Sequence, residues 1–220
     1  LGDSGGLSRG SISIGATETA LNIFLLEKLK SFHMKYPGIR LKLYNHSTPQ
    51  AVEAVKSGKI EFAVVTTPVE MKPPLKKIVL QSFREILVGG KTFTALGSQV
   101  LSLAEVKNYP MICLGRETMT YQFYSQFFLK HCLELTPDTE VATTDQILPL
   151  VKNELGLAFL PEKIAEEAIA RHEIVQIALQ IKNPFYKLIA IGLGTEYAFQ
   201  VFLTVGGATK FIPMTGVTLP

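Results

Sequence analysis

The chain has 220 residues, 47% of them hydrophobic, and a formal net charge of +3. That is enough apolar material for a sizeable core in one large or two small domains, while the charge is too slight to announce a nucleic-acid surface. Its two cysteines, Cys113 and Cys132, sit in no Cys-x-x-Cys pair and near no histidine cluster, so a disulfide framework or metal site is not expected and both read as reduced structural thiols.

Leu1 to Gly10 is short and Gly/Ser-rich, and reads as a linker or cloning remnant. It lacks the apolar stretch of an export signal, and no later apolar run is long enough to cross a bilayer, so the cytoplasm is the expected compartment. Ile12 and Ile14 then alternate with Ser11 and Ser13, which predicts a strand. Gly15-Ala16-Thr17-Glu18-Thr19 breaks the alternation and opens a helix with Leu21, Phe24, Leu25, Leu29, Phe32 and Tyr36 on one face. Pro37-Gly38 stops it, and Ile39, Leu41 and Leu43 alternate in a second strand. Ser47-Thr48-Pro49 starts a second helix with a hydroxyl cap and an early proline; Ala51, Val52 and Val55 turn inward and Gly58 ends it. Ile60 and Phe62 to Val65 form a nearly continuous apolar strand, the pattern of a parallel strand covered on both faces, closed by Thr66-Thr67-Pro68.

The same order returns later. Ser102 to Glu105 is a capping box for a short helix, Met111 to Leu114 an apolar strand, and Gly115 to Thr118 a polar turn. Tyr121 to Leu133 is a helix with Phe123, Phe127 and either Phe128 or Cys132 on its apolar side. Val141-Ala142 closes a strand, Thr143-Thr144-Asp145 caps the next helix, Gly156 ends that helix, and Leu157 to Leu160 is another buried strand. Strand starts near 12, 39 and 60 answer starts near 111, 138 and 157. Two α/β lobes of Rossmann-like order are therefore expected, facing each other across a cleft, with right-handed crossovers. Strands around Phe83 to Val88 and Leu188 to Leu193 would cross between them as a hinge, giving lobe one as 11–86 plus 188–220 and lobe two as 87–187.

Three stretches carry a resemblance. Ser11-Ile12-Ser13-Ile14-Gly15-Ala16 leads to Leu25-Leu26, Phe32 and Tyr36-Pro37-Gly38-Ile39-Arg40-Leu41; Gly58-Lys59-Ile60-Glu61-Phe62-Ala63-Val64 follows; Leu155-Gly156-Leu157-Ala158-Phe159-Leu160-Pro161 comes late. In that order and spacing the chain resembles the effector-binding domain of LysR-type transcriptional regulators. The resemblance implies a fold like that of type II periplasmic binding proteins, a small effector in the interlobe cleft, homodimers of this domain and tetramers of the full protein. It also implies DNA contact only through an N-terminal helix-turn-helix that these residues do not contain, with no cofactor, no membrane and no enzymatic activity. The chain departs from the family pattern at Glu27, where proline is common, at Glu154, where glycine often stands, and from Val205 to Pro220, where Gly, Thr and Pro suit irregular structure rather than a closing helix.

The resemblance implies ligand-binding hydroxyls at Thr17 and Thr48, and the strand-to-helix position extends the set to Thr19, Ser47 and Thr66 in the first lobe and to Thr118 and Thr144 in the second. Each can equally cap a helix. Thr66 stands where some relatives carry arginine, which points away from a dicarboxylate and toward a small anionic or zwitterionic metabolite. Arg116 is more simply a solvent-facing turn residue, and His46 an exposed loop histidine. A solute-binding receptor of an importer would share the architecture. An enzyme of the same two-lobe form would need an acid/base pair that His33, His46, His131 and His172 do not supply.

Overall fold

The structure is a computed structural model that describes residues 10–69 and 72–180, and the backbone of 185–192. Of the linker reading of 1–10, residues 1–9 lie outside the described residues and Gly10 instead begins the first strand; the end of the predicted late strand at Leu193 and the irregular reading of 205–220 also lie outside the described residues. Contacts divide the chain into two compact units, Leu1–Leu80 with Leu188–Pro220, and Gln81–Lys187.

Unit 1 opens with strand β1 (Gly10–Ala16). Helix then runs as α1 (Glu18–Ala20), a π segment (Leu21–Leu25) and α2 (Leu26–Lys35). The π segment alters the face predicted from a uniform period. Ala20 and Leu25, five residues apart, are both fully buried, as a π turn requires, and Ile23 is buried where Phe24 was expected. Leu29 and Phe32 continue the buried face into α2. β2 (Ile39–Asn45), α3 (Thr48–Lys56) and β3 (Phe62–Thr66) follow. Gly58, at φ +68°, takes the left-handed turn that stops α3, and its N–H and that of Lys59 close on the carbonyls of Val55 and Ala54. Ala51, Ala54 and Val55 of α3 pack on Ile60, Ala63 and Val65. β4 (Lys76–Gly90) starts in unit 1 and ends in unit 2.

Unit 2 continues with a 3-10 turn (Lys91–Ser98), β5 (Val100–Leu101) and α4 (Leu103–Val106), whose Ser102–Glu105 capping box forms as predicted. Then come β6 (Ile112–Leu114), α5 (Met119–Lys130), β7 (Thr139–Val141), a 3-10 turn (Thr144–Gln146) and α6 (Ile147–Lys152). β8 (Ala158–Pro161), α7 (Glu162–Ala170) and β9 (Ile174–Leu179) complete it, and β10 (Phe185–Gly192) returns the chain to unit 1. On α5 the buried residues are Tyr124 and Phe128; Phe123 and Phe127 are half-buried and Cys132 is exposed, which corrects the predicted face by one residue.

In unit 1, β2 and β3 pair parallel to β1 on either side, and β10 pairs antiparallel to β3. In unit 2, β7 pairs parallel to β6, Met111 bridges Leu157 in parallel, and β4 pairs antiparallel to β8. Each unit thus has a parallel core and an antiparallel neighbour on its third strand. β4 separates two layers of core. Ile86 and Val88 pack with Ile112, Val151 and Leu160, whereas Leu87 packs with Tyr124, Phe128, Leu157 and Phe159. A fully buried leucine such as Leu160 contributes about 1.5–3 kcal/mol by leaving water.

Two acids, each just before a strand, tie it to its neighbour. Glu61 Oε2 accepts the Ser13 N–H at 2.6 Å while the Glu61 N–H donates to Ser13 O at 3.0 Å. Asp138 Oδ2 accepts the Met111 N–H at 2.8 Å while its own N–H donates to Met111 O at 2.9 Å. Glycine at 156 has a steric reason, because a Cβ there would meet the Pro110 carbonyl oxygen at 2.5 Å, in the stretch where the Leu157 N–H donates to that same oxygen.

Glu154 stands at φ +67°, the region that a side chain disfavours by about 1–2 kcal/mol. Its carboxylate accepts from the Thr92 hydroxyl, an exposed bond that recovers little. Glu154→Gly is expected to raise the unfolding free energy by about 1 kcal/mol in urea titrations, whereas Glu61→Ala, which strips the Ser13 N–H of its acceptor, is expected to lower it by about 1–3 kcal/mol, and Glu61→Gln by less.

Candidate functional site

Parallel strands leave their strand-to-helix turns at one edge, and the predicted hydroxyls fall on those turns. In unit 1, Thr17 follows β1, Ser47 and Thr48 follow β2, and Thr66 ends β3. Thr17 caps α1: its Oγ1 accepts the Ala20 N–H at 3.3 Å, and its own N–H donates to Val64 O of β3 at 3.1 Å. Ser47 forms a capping box with Gln50, whose Oε1 accepts the Ser47 N–H at 3.0 Å. Thr48, 5% exposed, donates its hydroxyl to Thr66 O at 3.3 Å, so the structure brings Thr48 and Thr66 together. Thr19 lies inside α1 rather than at the cap.

Unit 2 repeats the pattern. Thr118 follows β6 and caps α5: its Oγ1 accepts the Tyr121 N–H at 3.1 Å and donates to Gly115 O at 2.8 Å. After β7, Thr143 forms the capping box with Gln146, and Thr144 lies within the 3-10 turn, 9% exposed. The cap is therefore Thr143, one residue earlier than predicted. Ser47-Thr48-Pro49-Gln50 and Thr143-Thr144-Asp145-Gln146 share a hydroxyl cap, a buried threonine and a glutamine that closes the box. That hydroxyl-Thr-x-Gln repeat was available in the sequence as a signal.

The hydroxyls differ in what they still offer. Thr48 and Thr118 each spend their O–H proton on a backbone carbonyl, so toward a ligand they present acceptor lone pairs unless they rotate. The Thr17 hydroxyl accepts from Ala20, and its proton has no acceptor among the described residues. Thr17 is thus a hydroxyl free to donate to an anionic oxygen.

Arg116 is exposed, and its Nε donates to Glu140 Oε1 at 3.3 Å. The His46 N–H donates to Ala16 O, and its ring stacks on Tyr44 at 6.0 Å. Burial, reinforced by Glu140, pushes the Cys113 thiol up to about 12, so it stays protonated and unreactive. Among the described residues no group of His, Cys, Asp and Glu is placed to hold a metal ion. A hollow of about 280 Å³ in unit 2 is lined by Lys107, Tyr109, Met111, Glu134 and Asp138, among others. It sits where β6 and β7 begin, the opposite edge from Thr118 and Thr144, and none of the predicted hydroxyls lines it.

The family model for the LysR substrate binding domain matches residues 5–191. The chain belongs to this family. The HTH-type transcriptional activator CmpR of Synechocystis is 23% identical over 163 residues, 73% of this chain and 52% of that protein. The regulatory domain of Synechocystis CcmR, solved in complex with 2-PG, superposes with a TM-score of 0.78 at 15% identity, covering 92% of this chain and 98% of that one. A shorter similarity runs to the peptidoglycan glycosyltransferase RodA of Mycobacterium tuberculosis, 39% identical over 85 residues, 38% of this chain. The chain spans 18% of that protein's length, too small a part to carry over its activity. The LysR-type match makes this an effector-binding domain with the fold of type II periplasmic binding proteins, and the importer receptor is not favoured. Among the described residues no helix is long and apolar enough to cross a membrane.

Removing the Thr48 hydroxyl takes a buried hydrogen bond from the end of β3. Thr48→Val is expected to lower stability by about 1 kcal/mol in chemical unfolding, and Thr48→Ser to retain most of it.

Proposed function

We propose that this LysR-type domain senses a small anionic or zwitterionic metabolite and passes its presence to an N-terminal DNA-binding domain of a cytoplasmic regulator. Thr17, Thr19, Ser47, Thr48 and Thr66 are the proposed contacts of unit 1; Thr118 and Thr144 hold the equivalent places in unit 2. The observation that carries this reading is the convergence of hydroxyls at the carboxyl ends of β1, β2 and β3, with helix-start N–H groups after β1 and β2, at the edge where open α/β sheets take ligands. Thr17 supplies a free O–H donor, and a hydroxyl at Thr66 in place of a cation suits one carboxylate or phosphate better than two. Ligand binding would bias the protein between two arrangements by no more than its difference in affinity for them.

Self-association is part of the proposal. Leu26 and Met34 on α2 are 48% and 74% exposed, and Leu43 and Tyr44 on β2 are 46% and 42% exposed. These apolar side chains suit a homodimer contact of the kind the family forms.

The test is a thermal-shift and calorimetric screen of mono- and dicarboxylates, phosphorylated acids and amino acids. A true effector at a hundredfold excess over its Kd should stabilise the domain by about 2.7 kcal/mol. Thr17→Val should abolish that gain and Thr17→Ser should keep it. The serine control is needed because valine at 17 also removes a helix cap, worth about 1 kcal/mol in the unliganded protein. Equal binding by Thr17→Val and wild type would place the effector elsewhere.

A further inference from the structure

Glu85 is the buried acid that the sensing site does not use. It lies on β4 and is 3% exposed, paired in register with Pro161 at the end of β8. Strand alternation puts it on the face of Phe83 and Leu87, within the layer built by Tyr124, Phe128 and Phe159. Tyr124 stacks on Phe159 at 4.9 Å and brings its hydroxyl beside the carboxyl. Among the described residues Glu85 Oε2 nevertheless has no hydrogen-bond partner. The charged neighbours answer each other instead. Arg84, on the other face of β4, is held by Glu162 of α7, Nη2 to Oε1 at 2.5 Å and Nε to Oε2 at 3.1 Å. β8 carries no titratable side chain, and from α5 the titratable group that meets Glu85 is Tyr124.

An ionised carboxylate in an apolar layer with an oxygen unpaired is strongly unfavourable, whereas the neutral acid fits the same space. The position matters as well as the burial. β6 and β7 run parallel, and Met111 bridges Leu157 in parallel, so β6, β7 and β8 end at one edge of unit 2, the edge of Thr118 and Thr144. Glu85 sits at that edge, opposite the last residue of β8.

We infer that unit 2 carries a proton-binding site, the Glu85 carboxyl held beneath Tyr124 at the end of the β4–β8 pairing, and that loss of its proton loosens that pairing. The proton is then a second ligand of the domain, bound independently of the metabolite proposed above. Burial pushes the Glu85 carboxyl from its ordinary 4.5 up to about 8, with the Tyr124 hydroxyl pulling the other way. At neutral pH the folded protein holds this proton and the unfolded chain does not. Between about 4.5 and 8 folding therefore takes up a proton, and stability falls as pH rises through that window. Above about 8 both states are ionised, and the penalty is constant.

The experiment is a carbon-13 titration of glutamate side-chain carboxyls in the folded wild-type chain from pH 4 to 10. One carboxyl should titrate near 8, and Glu85→Gln should remove that signal. Urea unfolding of the wild type should show the folding equilibrium constant falling up to tenfold per pH unit across the window, with a flatter profile in Glu85→Gln. Hydrogen exchange in peptides covering 83–88 and 158–161 should speed up between pH 7 and 9 beyond the intrinsic chemical rate in the wild type and not in the variant. If all glutamates titrate below about 5.5, the inference is overturned, and this reading needs only the wild type should Glu85→Gln fail to fold. A carboxyl titrating near 8 with unchanged exchange at 83–88 would keep the proton site and overturn the loosening. Neither result depends on finding the metabolite.

Discussion

The fold rests on the parallel pairing of consecutive strands. A chain that pairs in parallel must travel back along the outside of the sheet before it can pair again, and the returning segment is here a helix. Every strand therefore ends where a helix begins, and all these junctions share one edge. In unit 1 this holds for β1 and β2, each followed by a helix, while β3 ends at the same edge and leads on to β4. Junction residues must cap helices, which selects Ser and Thr, and the capped N–H groups with their hydroxyls make the same edge receptive to small polar ligands. The concentration of threonines there follows from topology before any ligand is considered.

Unit 2 meets the same constraint with different residues. Thr118 matches Thr17 as a cap after the first strand, and the Thr143–Gln146 box matches Ser47–Gln50 after the second. In each unit an acid just before a strand also bonds a backbone N–H at or beside the first strand, Glu61 that of Ser13 and Asp138 that of Met111. The third strand of each unit takes an antiparallel neighbour, β10 on β3 and β4 on β8. These two strands connect the units, so the repeat is closed by segments that each belong partly to the other half of the sequence.

Much of this was legible because it rests on local periodicity and turn chemistry. The Ser102–Glu105 box, the Gly58 stop and the fully buried β3 were read from residue type and spacing alone. What escaped depends on geometry that periodicity does not encode. A π turn inserts a residue into the helical period, so Ile23 replaced Phe24 on the buried face without any change in apolar content. On α5 the aromatic run Phe123, Tyr124, Phe127, Phe128 is ambiguous by one residue, and the stacking of Tyr124 on Phe159 decides it. The departure at Glu154 was visible in sequence, but its reason, a left-handed backbone, was not. The alternation Phe83, Glu85, Leu87 was the available sign that the acid points inward.

The hydroxyls that looked alike in the sequence are chemically unequal in the fold, and this narrows the ligand more than their number does. A hydroxyl that already donates to a carbonyl can only accept from a newcomer, as at Thr48 and Thr118, whereas one that accepts from an N–H can still donate, as at Thr17. On the proposed reading, an effector with only acceptor oxygens would engage Thr17 directly but would have to turn the Thr48 hydroxyl away from Thr66 to engage it. If the proposed contacts hold, a zwitterion would satisfy both without disturbing either, its carboxylate accepting from Thr17 and its ammonium donating to Thr48. The burial of Thr48 sharpens the contrast, because the Thr66 carbonyl would lose a partner in a place water reaches poorly. On the proposed reading of the site, an amino-acid-like ligand would fit the existing hydrogen bonds of unit 1 with less rearrangement than a simple anion.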